Sequence, residues 1–190
     1  MSPPDSGLEQ ATQATQAVWS AGARVLHWVL ALSMITSFAT HEGGGWLHEW
    51  TGYAALAAAA LRLVLGFVGK GRWRFSGFVQ GAAATWAYAR SLASHTEARY
   101  LGHNPLGGWM VLALLADAIA TGLTGWLYTT DRFWGMQWLE ELHGLLGYAL
   151  IPLLLMHVAG AIFTSWRHRE NLVAAMVHGR KPVAEQFDVK

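Results

Sequence analysis

The 190-residue sequence contains no cysteine. That excludes disulfides, thiolate-held iron–sulfur clusters and covalent C-x-x-C-H haem attachment. Any metal must therefore sit on histidine, carboxylate or methionine. Charge is also scarce: 13% of residues are Asp, Glu, Lys or Arg, against about 25% in soluble domains. The formal net charge is +1, which offers no sign of nucleic-acid binding. Residues 1–17 lack a basic stretch leading into an apolar core, so no cleavable signal peptide is expected. Rich in Ser, Pro, Thr, Gln and Ala, residues 1–19 read as a disordered cytoplasmic tail.

What is abundant is apolar. Hydrophobic residues make up 53% of the chain, and there are 11 Trp, a residue that favours membrane interfaces. Four apolar segments, about 23–40, 48–68, 105–128 and 142–166, are each near the roughly 20 residues that cross a bilayer as a helix. They are too long and too unalternating for barrel strands. The expected fold is all-α, an integral membrane four-helix bundle over residues 20–170, with a cytoplasmic C-terminal tail over 171–190.

Loop charge sets the expected orientation. The first loop has Glu42 and no basic residue, and the third has Arg132 against Asp131, Glu140 and Glu141. The second loop holds Lys70, Arg72, Arg74, Arg90 and Arg99, and the C-terminal segment Arg167, Arg169, Arg180, Lys181 and Lys190. The positive-inside rule places both termini and the second loop in the cytoplasm, so the chain is read as a multi-pass protein of the bacterial cytoplasmic (inner) membrane. Within the second loop, residues 77–93 read either as a short amphipathic helix on the membrane surface or as an irregular loop.

The informative feature is a pair of histidines on the fourth segment, His143 and His157. Fourteen residues apart, they lie about 21 Å apart along a helix and on nearly one face, with no charged residue between them. Polar side chains at membrane depth are costly and point to function. Sorting by depth pairs His27 with His157 on the cytoplasmic side and His48 with His143 on the outer side. Two imidazoles on opposite faces of a planar macrocycle make a six-coordinate iron with no open site, suited to electron transfer. Facing side chains in the core of a four-helix bundle commonly build such sites.

Neighbouring residues extend the pattern. His48-Glu-Trp-Thr-Gly52-Tyr53 and His143-Gly-Leu-Leu-Gly147-Tyr148 both read H-x-x-x-G-Y. A glycine one turn from each ligand would leave room for a macrocycle edge; ordinary small-residue helix packing is the alternative. Arg62, 14 residues after His48, falls at the depth of His157 and needs an anion, for which a haem propionate is a candidate. Arg24, one turn before His27, can do the same or extend to the membrane surface. His41, 14 residues after His27, competes with His48 as the outer ligand; His48 is preferred for its motif. His95, His103, His168 and His178 read as solvated surface. Asp117, a lone acid within the third segment, reads as a hydrogen bond to a neighbouring helix; proton transfer or binding of a quinol hydroxyl is the functional alternative.

Taken in order, Arg24-Val-Leu-His27-Trp28, the His48 motif, Arg62-Leu-Val-Leu-Gly-Phe-Val-Gly69, Gly102-His-Asn-Pro-Leu-Gly-Gly108, the His143 motif, His157 and Glu170-Asn-Leu-Val-Ala-Ala-Met resemble the bacterial di-haem cytochrome b561 family, the group that includes hydrogenase-type b cytochromes. The resemblance covers about residues 20–182. It implies two b haems, with His27, His48, His143 and His157 as bis-His ligands. It also implies electron exchange with quinone or a redox partner. An extra helix common in hydrogenase-type relatives is missing, which favours a stand-alone or small-partner cytochrome. The expected partners are lipid, quinone and a periplasmic cytochrome c or reductase subunit. Two alternatives stay open. One is a superoxide:quinone oxidoreductase, for which Arg132 would be the sole outer basic guide. The other is a haem-free, His-lined metal transporter.

Overall fold

The computed structural model describes residues 15–43 and 45–183. Four helices are long and apolar enough to cross a membrane: α1 (Ala21–Ala39), α2 (Trp46–Val68), α4 (Pro105–Tyr128) and α5 (Gln137–Arg167). Between α2 and α4 lies α3 (Ala82–Ala93), and α5 is followed by α6 (Leu172–His178). Of the two readings of residues 77–93, the helix is the one observed. It is preceded by two 3-10 turns, Gly71–Trp73 and Phe75–Gly77.

Local chemistry fixes the helix starts. Ser20 caps α1, its hydroxyl accepting from the Ala23 N–H at 3.2 Å. Asn104 caps α4, accepting from the Gly107 N–H at 2.7 Å, and Pro105 occupies the first turn, where a missing N–H costs nothing. Asn171 caps α6 through the Ala174 N–H at 2.8 Å. Each cap satisfies a backbone donor that the helix itself cannot.

Chain segments expected to be tails instead meet. Thr15–Ala17 (β1) pairs antiparallel with Arg180–Pro182 (β2), with Gln16 opposite Lys181. The expected disorder of residues 1–19 does not hold for 15–19, and the segment read as a C-terminal tail contains α6 and β2; 1–14 and 184–190 lie outside the described residues. Gly179 makes the junction possible. It adopts φ +81°, its N–H closes α6 on the Ala175 carbonyl, and its carbonyl accepts from the Val18 and Trp19 N–H groups. A Cβ there would meet the Trp19 carbonyl oxygen at 2.7 Å. Beside it, the buried Glu170 carboxylate takes Arg99 at 2.8 Å and Lys181 at 3.1 Å.

Packing among the long helices is uneven. α1 lies against α2, α2 against α4, and α4 against α5, while α5 makes little close backbone approach to α1 or α2. The buried core, Ala59, Phe75, Phe78, Leu115 and Ala118, joins α2 and α4 to the 3-10 segment. On α5 only Leu139 is buried. Helices α5 and α1, which has no buried residue at all, are thus the two least covered by protein.

Candidate functional site

Two histidine pairs span the space beside α5. His27 of α1 and His157 of α5 have ring centroids 6.3 Å apart, at the end of the bundle that carries the β1–β2 pair; this pair is called proximal. His48 of α2 and His143 of α5 have centroids 6.0 Å apart at the opposite end, and form the distal pair. At a metal–imidazole distance of about 2.0–2.1 Å, one ion shared by two rings sets their centroids about 6 Å apart. Both pairs have that spacing.

Hydrogen bonds fix the distal rings. His48 Nδ1 lies 2.8 Å from the Ser37 carbonyl oxygen, and His143 Nδ1 lies 3.0 Å from the Thr121 carbonyl oxygen. A carbonyl only accepts, so each Nδ1 carries the proton and each Nε2 keeps a lone pair. Ligating histidines are oriented in this way in metal sites generally. Two hydroxyls add to it: Ser37 Oγ at 3.3 Å from His48 Nδ1, and Thr124 Oγ1 at 3.1 Å from His143 Nδ1. Among the described residues, neither proximal ring has such a partner.

His41 does not join the distal pair. Its ring stacks on Phe38 at 5.1 Å and faces Tyr148 at 6.1 Å, and its Nδ1 donates to the Phe38 carbonyl at 2.6 Å.

The glycines divide unequally. A Cβ on Gly52 would lie 3.5 Å from Ser37 Oγ, an ordinary contact that the site tolerates. A Cβ on Gly147 would meet nothing within 4 Å, which leaves it beside open space. Packing among the described residues therefore requires neither glycine of the motif repeat. Gly125 on α4, which the sequence reading passed over, matters more: a Cβ there would lie 2.8 Å from His143 Cε1.

The two arginines differ as well. Arg62 Nη1 donates to the Trp73 carbonyl at 3.0 Å, and its guanidinium sits 5.0 Å from the Phe75 ring centre and 5.8 Å from those of Trp73 and Phe78. Gly66 permits this box, because the Phe75 ring fills the place of a Cβ there. Arg24 Nη1 donates to the Val177 carbonyl, while its Nε is buried without a partner. Trp28, next to His27, donates from Nε1 to the Met176 carbonyl at 3.3 Å. Helix α6 thus rests on the proximal end of α1.

His103 overturns its reading as solvated surface. Its ring packs 4.7 Å from Phe78 and 4.9 Å from Trp19. Burial pushes the imidazole down to about 3, reinforced by the positive charge of Arg62 and by His157, Lys181 and His27. No sequence spacing flagged it, because its neighbours Trp19 and Phe78 are remote in the chain. Asp117 departs from expectation too: its Oδ2 is buried with no hydrogen-bond partner, so the interhelical bond is not there.

The donor set can be tested against a haem. Among the described residues, no group of three or more His, Asp or Glu could hold a metal by itself. Two imidazoles are too few for a closed protein site, but they suit a macrocycle that brings its own equatorial nitrogens. The gap between α5 and α1/α2, the open space at Gly147 and the buried unpartnered Arg24 Nε fit such a group.

A comparison with curated proteins finds no match to the chain. A family model described as prokaryotic cytochrome b561 matches residues 18–179, well over half of the sequence.

Proposed function

The chain belongs to the prokaryotic cytochrome b561 family, and we propose that it is a di-haem b-type cytochrome carrying electrons across the bacterial inner membrane. Membership supports a membrane protein that binds haem b and transfers electrons. The carrying observation for two haems is the recurrence of one geometry at both ends of α5: His27–His157 at 6.3 Å and His48–His143 at 6.0 Å.

In this reading the distal pair lies near the periplasmic face and the proximal pair near the cytoplasmic face, as the basic loops favour. Haem bound between each pair supplies one-electron chemistry at an iron with no open position. The protein's part is to hold and tune. Ser37 and Thr121 carbonyls orient the distal imidazoles and raise their basicity. Arg24, with Nε unspent, and Arg62, with several of its five donors unspent, supply positive charge for propionates. A periplasmic cytochrome c or reductase subunit at one end, and the quinone pool, are the exchange partners.

Pyridine haemochrome analysis of the purified full chain tests this directly. Two haems per chain are expected. A colourless protein would refute the proposal and restore the metal-transporter alternative. Haem reduction by superoxide at diffusional rates would shift the function to superoxide:quinone oxidoreduction.

A further inference from the structure

Asp117, Thr121 and Thr124 follow one another at i, i+4 and i+7 along α4, and so share one face. Asp117 Oδ2 and Thr121 Oγ1 are both buried without a partner. Thr124 Oγ1 ends the row at 3.1 Å from His143 Nδ1. Around them the helix packs through Leu115 and Ala118, which are 3% and 4% exposed. Asp117 as a whole is half-buried, but a carboxylate oxygen with no partner at membrane depth is costly.

Among the described residues, the elements packed on α4 offer Asp117 no second carboxylate to share a proton and no ion pair. Between their ends, α2 carries His48, Tyr53 and Arg62, α5 carries His143, Tyr148 and His157, and α3 carries Tyr88 and Arg90. Glu49, Glu140 and Glu141 sit at the distal ends of α2 and α5. Asp117 is the only acid at mid-bundle depth among the described residues. Along α4 it lies seven residues, about 10 Å, from Thr124, and so between the levels of the two histidine pairs.

We propose that Asp117 is a redox-linked proton-binding site, protonated when a haem is reduced and released when it is oxidised, with Thr121 and Thr124 continuing its polar row toward His143. The inference rests on the di-haem reading above. A ferric centre carries one more positive charge than a ferrous one, and in a low-dielectric bundle that charge favours the carboxylate. In the balanced step, an external one-electron donor takes one iron from ferric to ferrous. The Asp117 carboxylate takes one proton from water, forming an O–H bond. Reoxidation passes the electron to an acceptor and the proton back to water.

Potentiometric titration of the purified full chain, followed by haem absorbance at several pH values, tests the proposal. Wild-type potential is expected to fall with rising pH by up to one proton per electron, about 59 mV for each tenfold change in proton activity. Asp117→Asn is expected to flatten that slope with both haems retained. An unchanged slope in the variant, or a pH-independent wild type, overturns the proposal. Absence of haem from the wild type overturns the di-haem reading instead, and this inference falls with it. Should Asp117→Asn not assemble, reduced-minus-oxidised infrared spectra of wild type and Asp117→Glu decide. A carboxyl band that appears on reduction and moves with the longer side chain supports the proposal; a band that does not move, or no band, overturns it.

Discussion

His143 Nδ1 lies 3.0 Å from the Thr121 carbonyl oxygen and 3.1 Å from Thr124 Oγ1, so two groups of one α4 turn orient one ring of α5. The relationship is local to the distal pair. Thr124→Val removes the hydroxyl and leaves the carbonyl. Loss of such an outer partner weakens metal retention by about 10–100-fold, and with the carbonyl intact the lower end is expected. Distal haem occupancy under detergent dialysis measures it, with proximal occupancy unchanged.

Gly125 gives a steric version of the same test. A Cβ at 2.8 Å from His143 Cε1 cannot be accommodated without moving the ring. Gly125→Ala is expected to cost about 1–3 kcal/mol, the range for overpacking a filled site, and Gly125→Val more. The expected readout is a changed low-temperature absorption or paramagnetic resonance signature of one haem only. Equal disturbance of both haems would contradict the pairing.

Ligand removal separates the two centres. His157→Ala is expected to abolish the proximal haem and His143→Ala the distal one, each leaving about one haem per chain. His41→Ala, whose ring lies on Phe38 and Tyr148, is expected to retain both. Haem counts on the three variants distinguish His48 from His41 as the distal ligand.

The His103 environment predicts an acid sensitivity with a defined window. In the fold its imidazole is held down at about 3, while in the unfolded chain it takes a proton near 6.5. The unfolded state therefore binds the extra proton between those values. The stabilisation is complete above about pH 6.5 and is lost progressively as pH falls toward 3. Glu97, held low by its hydrogen bond to Arg167, adds a loss that begins as pH falls into the ordinary glutamate range. Thermal melts followed by circular dichroism are expected to show the first loss from about pH 6.5, and His103→Phe to remove it.

Glu170 anchors the tail junction, with a side chain 2% exposed and bonds to Arg99 and Lys181. Removing one partner of a buried ion pair costs about 3–5 kcal/mol. Glu170→Ala is expected to lower the melting temperature accordingly, and Gly179→Val to do likewise, since a branched side chain at φ +81° is strained and the Trp19 carbonyl stands in its way.

The spanning helices were legible because bilayer crossing demands a long apolar run, and the histidine pairs because depth follows from helical rise. Helix α5 starts at Gln137, before the expected 142, because its first turn is polar and hydropathy alone does not reach it. What the sequence hid was lateral. Ser37 and Thr121 act through backbone carbonyls, which every residue has, so no residue type advertises them, and the Thr124 hydroxyl lies 19 positions from His143 in the chain. Gly125 looked like any small residue of a membrane helix. His103 was misread because polar neighbours in the chain suggested solvent, whereas Trp19 and Phe78 reach it across the fold. The strand pair joins residues 165 positions apart, beyond any local pattern.

That separation has a consequence in time. Thr15–Ala17 leave the ribosome before any of the four spans, yet their pairing partner, Arg180–Pro182, is made after all of them. Long-range pairings wait until the intervening chain is in place. Arg24 and Trp28 donate to α6 carbonyls at Val177 and Met176, so the proximal end of α1 also gains its cover last. Synthesis thus keeps that end uncovered until the chain is nearly finished, which leaves an interval in which a large flat cofactor can enter before the latch formed by α6 and the strand pair closes.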